Sequence, residues 1–191
     1  NFNPVAINIG PISITWYALS YILGLIFSWR YALFLSKRKY SIPSEVIDSF
    51  FNNAILGVII GGRLGYVLLY NFDYYYIYPI EILFLWQGGM SFHGGLIGVI
   101  IAQIITSKKF KVKFLVLTDI SSLTVPLGFM LGRIANFING ELYGRITQHP
   151  IGIIFPNGGN LPRHPSQLYE AFFEGFILFL ILNLLFYFSK I

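Results

Sequence analysis

Arg133, Asn136, Asn139 and Glu141 stand in the run Gly132-Arg133-Ile134-Ala135-Asn136-Phe137-Ile138-Asn139-Gly140-Glu141-Leu142-Tyr143-Gly144-Arg145, where an apolar stretch ends in polarity. Arg133 and Asn136 are three positions apart, so on a helix they share a face. Asn139-Gly140 is a helix-stop and turn signal that returns Glu141 toward that face. A guanidinium presents a planar, permanently charged fork suited to a phosphate, and an amide holds a glycerol or ester oxygen. These residue types describe a clamp for an anionic headgroup. The plainer reading of the same residues is an Arg133–Glu141 ion pair that only caps the helix.

His93 lies in Gly88-Gly89-Met90-Ser91-Phe92-His93-Gly94-Gly95, whose glycines let a backbone or a substrate come close. An imidazole in that setting suits a general base; hydrogen-bonded scaffolding is the ordinary alternative. Arg63, Tyr66 and Tyr70 follow at i, i+3 and i+7, on a face turned away from the stripe Gly57, Gly61 and Gly65. An arginine inside an apolar run is costly and points to function, with snorkelling to the interface as the alternative. His164-Pro165-Ser166-Gln167-Leu168-Tyr169-Glu170 opens the last apolar run, with Ser166 placed to cap it and Gln167, Tyr169 and Glu170 as supporting candidates. The chain has no cysteine, which removes thiolate nucleophiles, disulfides and Cys-based metal sites. No histidine spacing suits zinc, and Gly61-Gly62-Arg63-Leu64-Gly65 is a poor dinucleotide loop because it lies inside an apolar run. No metal and no cofactor is implied.

The elements that must position these side chains follow from composition. Of 191 residues, 55% are hydrophobic and only 11% charged, and the mean hydropathy is +0.67. An ordinary soluble domain carries roughly 25% charged residues, so the balance excludes that class, and it is the reverse of a nucleic-acid-binding tail. The expected fold is all-α, a polytopic transmembrane helix bundle forming one integral-membrane domain over 1–191. Five runs are long and apolar enough to span, near 12–35, 50–70, 91–107, 115–138 and 168–188. A re-entrant or interfacial piece is expected near 77–90 and an extracytoplasmic loop at 139–167. Gly57, Gly61 and Gly65, with Gly94/Gly98 and Gly128/Gly132, predict close backbone packing between helices.

Orientation follows from lysine. Lys37 and Lys39 with Arg38 follow the first run, Lys108, Lys109, Lys111 and Lys113 follow the third, and Lys190 follows the fifth, so every lysine falls on one face, expected to be cytoplasmic. The N-terminus and the 139–167 loop then lie outside, together with Arg63, Arg133, Glu141 and the three histidines. The net charge of +5 reads as topology and contact with anionic membrane lipids rather than nucleic-acid binding. Asn-Phe-Asn-Pro at the start has no basic n-region, so the first helix is not expected to be a cleaved signal peptide.

Four stretches together are identified as those of the bacterial prolipoprotein diacylglyceryl transferase family. They are Gly-Gly-Arg-Leu-Gly-Tyr-Val-Leu at 61–68, Gly-Gly-Met-Ser-Phe-His-Gly-Gly-Leu-Ile-Gly at 88–98, the 132–145 run, and Arg-His-Pro-Ser-Gln-Leu-Tyr-Glu at 163–170. The resemblance implies a multi-pass enzyme of the bacterial plasma membrane. Such an enzyme moves the diacylglyceryl group of phosphatidylglycerol onto the lipobox cysteine in a prolipoprotein signal peptide, leaving a thioether and glycerol phosphate. It also implies that the chain lacks the family's C-terminal helices. By motif, Tyr17 matches the polar residue of the first helix, His93 the histidine of the Gly-rich motif, and Arg133, Asn136, Glu141 and Gly144 the signature residues. His93 and Arg133 are then the expected catalytic residues, with Arg133, Asn136, Glu141, Gly144, Tyr17, Arg63 and Asn139 expected to bind substrate. Asp119 matches an acidic family position, although pairing with the 108–113 lysines is its simpler reading. The chemistry agrees: alkylating a thiol of ordinary pKa, about 8.5, needs a base for the proton and a cation for the departing phosphate. The rival readings are a membrane transporter and an inactive truncated relic.

Overall fold

A computed structural model describes residues 3–10 and 12–188 of the chain, and there the long apolar runs become helices. The described chain opens on a hairpin, β1 (Val5–Ile9) antiparallel to β2 (Ile12–Thr15), with Val5 opposite Thr15 and Ile9 opposite Ile12. Helix α1 (Trp16–Leu35) runs into a π-helical turn (Ser36–Tyr40). It is followed by α2 (Ser44–Tyr70), a short α3 (Phe72–Ile77), two 3-10 turns (Pro79–Leu83 and Leu85–Gln87), α4 (Phe92–Phe110) and α5 (Phe114–Asn139). Beyond a loop, α6 (Ser166–Glu170), a π-helical stretch (Ala171–Ile177) and α7 (Leu178–Phe188) continue one another as a single helix.

Four helical segments are long and apolar enough to cross a membrane: Trp16–Tyr40, Ser44–Tyr70, Phe114–Asn139 and Ser166–Phe188. Their apolar side chains face outward, with Leu69 68% and Leu185 65% exposed. Lipid, not water, is the solvent that such a surface fits. The expected third span is α4, whose 19 residues give about 28 Å at a rise of 1.5 Å each. Its middle is apolar, but His93 at one end and Lys108 and Lys109 at the other hold it outside the four. The expectation of helix from residue 12 is corrected: Ile12–Thr15 is a strand, and α1 starts at Trp16. Helix α2 begins at Ser44, before the expected 50, because Pro43 takes the N-cap position and the first turn is polar. Lys190 lies outside the described residues.

Two compact units divide the chain, one holding the residues up to Ala32 and from Ser121 onward, the other running from Leu33 to Ile120. In the second unit, α2 and α4 meet through glycine. Gly57 faces Gly98 and Gly61 faces Gly94 so closely that a Cβ on any of the four would strike the opposite backbone carbonyl. Helices in lipid gain nothing from hiding apolar surface from water, so this approach of backbones is what lets them pack. Asn53 Nδ2 adds a 3.1 Å hydrogen bond to Thr106 Oγ1. An apolar groove of about 580 Å³ runs along the pair, lined by Leu56, Ile60, Leu64, Ile97 and Ile101 among others. Asp119 accepts a hydrogen bond from Tyr40 Oη at 3.2 Å, which replaces the expected pairing with the 108–113 lysines. A phenol satisfies that carboxylate without desolvating a second charge.

In the first unit, Pro126 sits inside α5 and removes a backbone donor mid-helix. Side chains serve the carbonyls nearby: Ser28 Oγ donates to Thr124 O at 3.3 Å, and Asn183 Nδ2 donates to Leu123 O at 3.5 Å. Tyr31 Oη donates to Asn183 Oδ1 at 2.5 Å, so α1, α5 and α7 share a polar seam. Gly24 of α1 comes close to Gly128, a Cβ on Gly24 lying 3.2 Å from the Gly128 Cα, although the direction a Cβ on Gly128 itself would take is open space. The direction a Cβ on Gly132 would take is open space as well, and no neighbouring glycine approaches it. The 139–167 loop is tied rather than slack, with Gly144 N donating to His164 O at 2.8 Å and Arg163 N donating to Ile153 O at 2.9 Å.

Candidate functional site

Helix α5 ends in the polar cluster. Gly140 takes φ +68° and Leu142 φ +57°, and the Glu141 N–H donates to Asn136 O at 3.0 Å, a left-handed stop that folds the chain back on the helix end. Glu141 is then held from three sides. Asn136 Nδ2 donates to its Oε1 at 2.9 Å, Asn139 Nδ2 donates to the same oxygen at 3.3 Å, and the fully buried Gln167 donates through Nε2 to its backbone carbonyl at 2.6 Å.

Glu141 therefore does not pair with Arg133, which corrects the helix-capping reading. Arg133 Nε lies 2.8 Å from Glu170 Oε2 instead, with both side chains partly exposed. The guanidinium sits 4.7 Å over the Phe129 ring, one turn back on the same helix. Its two Nη groups make no hydrogen bond to protein among the described residues. Tyr17 lies in electrostatic range of both Glu141 and Arg133, and its hydroxyl is 3.1 Å from that of Tyr21. Tyr17, Arg133, Asn136, Asn139 and Glu141 thus collect in one unit. Gly144 belongs to the loop that backs them: a Cβ there would lie 3.0 Å from His164 O and 3.1 Å from His164 Cβ, tighter than ordinary contact, so the loop fits a hydrogen best.

The other unit carries Arg63 and His93. Arg63 is 3% exposed and spends all five of its donors on backbone carbonyls. Nε donates to Ile82 O at 2.8 Å, Nη1 to Gly88 O at 2.5 Å and Gly89 O at 3.3 Å, and Nη2 to Glu81 O at 2.7 Å and Phe84 O at 3.3 Å. It does not snorkel; it ties the two 3-10 turns to α2. Tyr66 and Tyr75 close the same contact, with the Arg63 guanidinium 5.1 Å over the Tyr75 ring. His93 stands in the first turn of α4, where Ser91 Oγ accepts from Gly94 N at 3.2 Å as the N-cap. Its imidazole is exposed and has no hydrogen-bond partner among the described residues, its one ring contact being Phe92 at 5.6 Å. Scaffolding by hydrogen bonds is therefore not what holds it.

Two residues matter more than the sequence reading assigns. Glu170, a supporting candidate by its place near the last helix's start, is the carboxylate on Arg133. Gln167 orders Glu141, and no spacing rule points to it, because its contact is with a backbone carbonyl 26 residues away. Ser166 does not cap α6; its hydroxyl donates to Leu142 O at 2.9 Å and so binds the loop to the helix start. No group of three or more His, Asp or Glu able to hold a metal occurs among the described residues.

Lipid-facing helices that end in a guanidinium with an open fork define a multi-pass helical membrane protein whose polar cluster suits an anionic group. The family model described as prolipoprotein diacylglyceryl transferase matches residues 4–190. Proteins named phosphatidylglycerol–prolipoprotein diacylglyceryl transferase are similar throughout: 58% identical over 183 residues in Rickettsia canadensis (strain McKiel), 58% in Rickettsia typhi (strain ATCC VR-144 / Wilmington) and 56% in Rickettsia akari (strain Hartford). Each match covers 95% of this chain and 71% of the relative. The chain belongs to the prolipoprotein diacylglyceryl transferase family, a family of membrane transferases of lipoprotein biosynthesis.

Proposed function

We propose that the chain transfers the diacylglyceryl group of phosphatidylglycerol to the cysteine thiol of a prolipoprotein lipobox. The thiol sulfur forms a bond to the terminal glyceryl carbon, the bond from that carbon to the phosphate oxygen breaks, and glycerol phosphate leaves with the electron pair. The thiol proton goes to His93, directly or through water, and Arg133 binds the phosphodiester and stabilises the charge that develops on it. Asn136, Asn139 and Glu141, with Tyr17 beside them, order the headgroup's surroundings. The lysine-rich ends face the cytoplasm of the bacterial inner membrane and the polar cluster the opposite leaflet.

The observation that carries this reading is the contrast between two membrane arginines. Arg63 has every donor engaged by protein, whereas Arg133 makes no hydrogen bond to protein among the described residues and is met only by the ion-pair contact of Glu170 Oε2 at Nε. A cation in an apolar helix with an open planar fork is what a phosphodiester requires. His93, exposed and without a partner, has the freedom that a proton acceptor needs.

The test uses purified protein in nanodiscs with labelled phosphatidylglycerol and a lipobox peptide. Lipid on the peptide is the expected product. Arg133→Ala is expected to abolish transfer without loss of membrane insertion, and His93→Gln to lower it about 100-fold or more. Wild-type transfer by Arg133→Ala removes the phosphate role, and free diacylglycerol in place of lipidated peptide converts the reading to hydrolysis.

A further inference from the structure

We infer that Glu170 is a positioning residue that holds Arg133 by its Nε edge and so keeps the Nη1/Nη2 edge turned to the lipid phosphodiester; the inference rests on the phosphate role of Arg133 proposed above. A guanidinium has two edges able to take an anion side-on, one that includes Nε and one formed by the two terminal nitrogens. Glu170 Oε2 sits 2.8 Å from Nε, and no hydrogen bond from either Nη to protein occurs among the described residues. The carboxylate therefore lies against the Nε edge as an ion pair whose N–H is not aligned on it, and the terminal fork remains for a second anion. Phe129 covers one face of the guanidinium at 4.7 Å, which leaves its plane little freedom to rotate.

Glu170 is itself fixed by contacts on both sides along its own helix. Three residues earlier, the fully buried Gln167 is bound to the Glu141 carbonyl. Five residues later, Gly175 approaches α5 so closely that a Cβ would lie 2.5 Å from Met130 Cβ and 2.9 Å from Met130 Cα. Met130 is one turn before Arg133, so the helix that carries the carboxylate is pinned to the helix that carries the guanidinium. The π-helical stretch starts at Ala171, directly after Glu170, a local widening of the kind that recurs at functional positions.

The experiment measures transfer in nanodiscs as a function of phosphatidylglycerol concentration for the wild type, Glu170→Gln, Glu170→Asp, Arg133→Lys and the Arg133→Lys/Glu170→Gln double variant, with Arg133→Ala as control. Glu170→Gln is expected to lower kcat about 100-fold, the scale of a misplaced reacting group, with a much smaller change in KM. Glu170→Asp, which keeps the charge on a shorter arm, restores part of that loss. In the Arg133→Lys background, Glu170→Gln adds less than about 3-fold, since an effect routed through one guanidinium cannot be taken twice. Thermal melting of the detergent-solubilised variants separates unfolding from mispositioning, and aspartate rescue decides where glutamine melts early. Wild-type kcat and KM for Glu170→Gln overturn the inference, as does a full multiplicative loss in the lysine background. If Arg133→Ala still transfers, the phosphate reading fails instead; if Arg133→Ala is dead while Glu170→Gln is wild type, only the positioning role falls.

Discussion

Arg63→Met removes the cation that ties the 79–89 segment to α2 while keeping a long, flexible apolar stem. Five hydrogen bonds go with the guanidinium, three of them at 2.8 Å or less, to Ile82, Gly88 and Glu81. Hydrogen bonds to charged groups contribute about 1.5–3 kcal/mol each, and the cation–π contact to Tyr75 adds about 1 kcal/mol. Several released carbonyls can find other partners, because the segment is loosely covered around them: Ile80 is 65% and Leu83 67% exposed. The net loss is accordingly about 3 kcal/mol, or about 100-fold in the local opening equilibrium. Hydrogen exchange by mass spectrometry in nanodiscs reads this directly as faster exchange across peptides covering 79–89. Arg63→Lys, a point charge with three donors, should recover less than half of the protection. Unchanged exchange in Arg63→Met alongside lost transfer would refute the reasoning and return Arg63 to the substrate-binding group that the sequence suggests.

Gly98→Ala is expected to cost about 1–3 kcal/mol and to lower the melting temperature of the detergent-solubilised protein, since its Cβ would strike the Gly57 carbonyl and neither helix backbone can yield; an unchanged melting temperature would show that α2 and α4 are free to part. Tyr74 should titrate above the ordinary tyrosine value of 10.0, because its hydroxyl donates to Glu81 Oε2 at 2.7 Å and that bond favours the protonated phenol. A raised folded value means that this contribution is complete below pH 10 and lost as pH climbs through the folded value. The tyrosinate absorbance that Tyr74→Phe removes should therefore develop mainly above pH 10, and Glu81→Gln should bring its onset down.

The sequence is most legible where a single physical requirement dominates. Hydropathy alone marks α5 and the last helix to within two residues, because nothing but a helix satisfies the backbone of a long apolar run in lipid. The glycine stripe likewise announces the α2–α4 approach, since only glycine permits it. The hairpin over 5–15 is missed for the same reason in reverse: Ile12, Ile14 and their neighbours are apolar enough to read as the first turns of α1, and strand pairing at an apolar edge leaves no separate hydropathy signal. In the polar cluster, the motif names the participants but not their pairing. Arg133 has a carboxylate eight residues away in Glu141 and another in Glu170, and local spacing favours the first. The chain takes the second because Asn136, Asn139 and Gln167 already hold Glu141, and because Gly175 brings the last helix against Met130.

The same device places the two side chains proposed to react. His93 is followed by Gly94, whose absent side chain lets α4 meet the Gly61 backbone, so the imidazole is placed by a close helix contact although it makes no hydrogen bond of its own among the described residues. Arg133 lies one turn beyond Met130, where Gly175 makes the corresponding contact between α5 and the last helix. A hydrogen-bond network can fix a side chain only by occupying the donors and acceptors that chemistry needs. Backbone packing one position or one turn away fixes the side chain's origin and leaves its polar atoms free. In a bilayer, where buried polar groups seek any available partner, that arrangement leaves an imidazole and a guanidinium fork free for the proposed substrate, and a Cβ at Gly94 or Gly175 would force the paired helices apart.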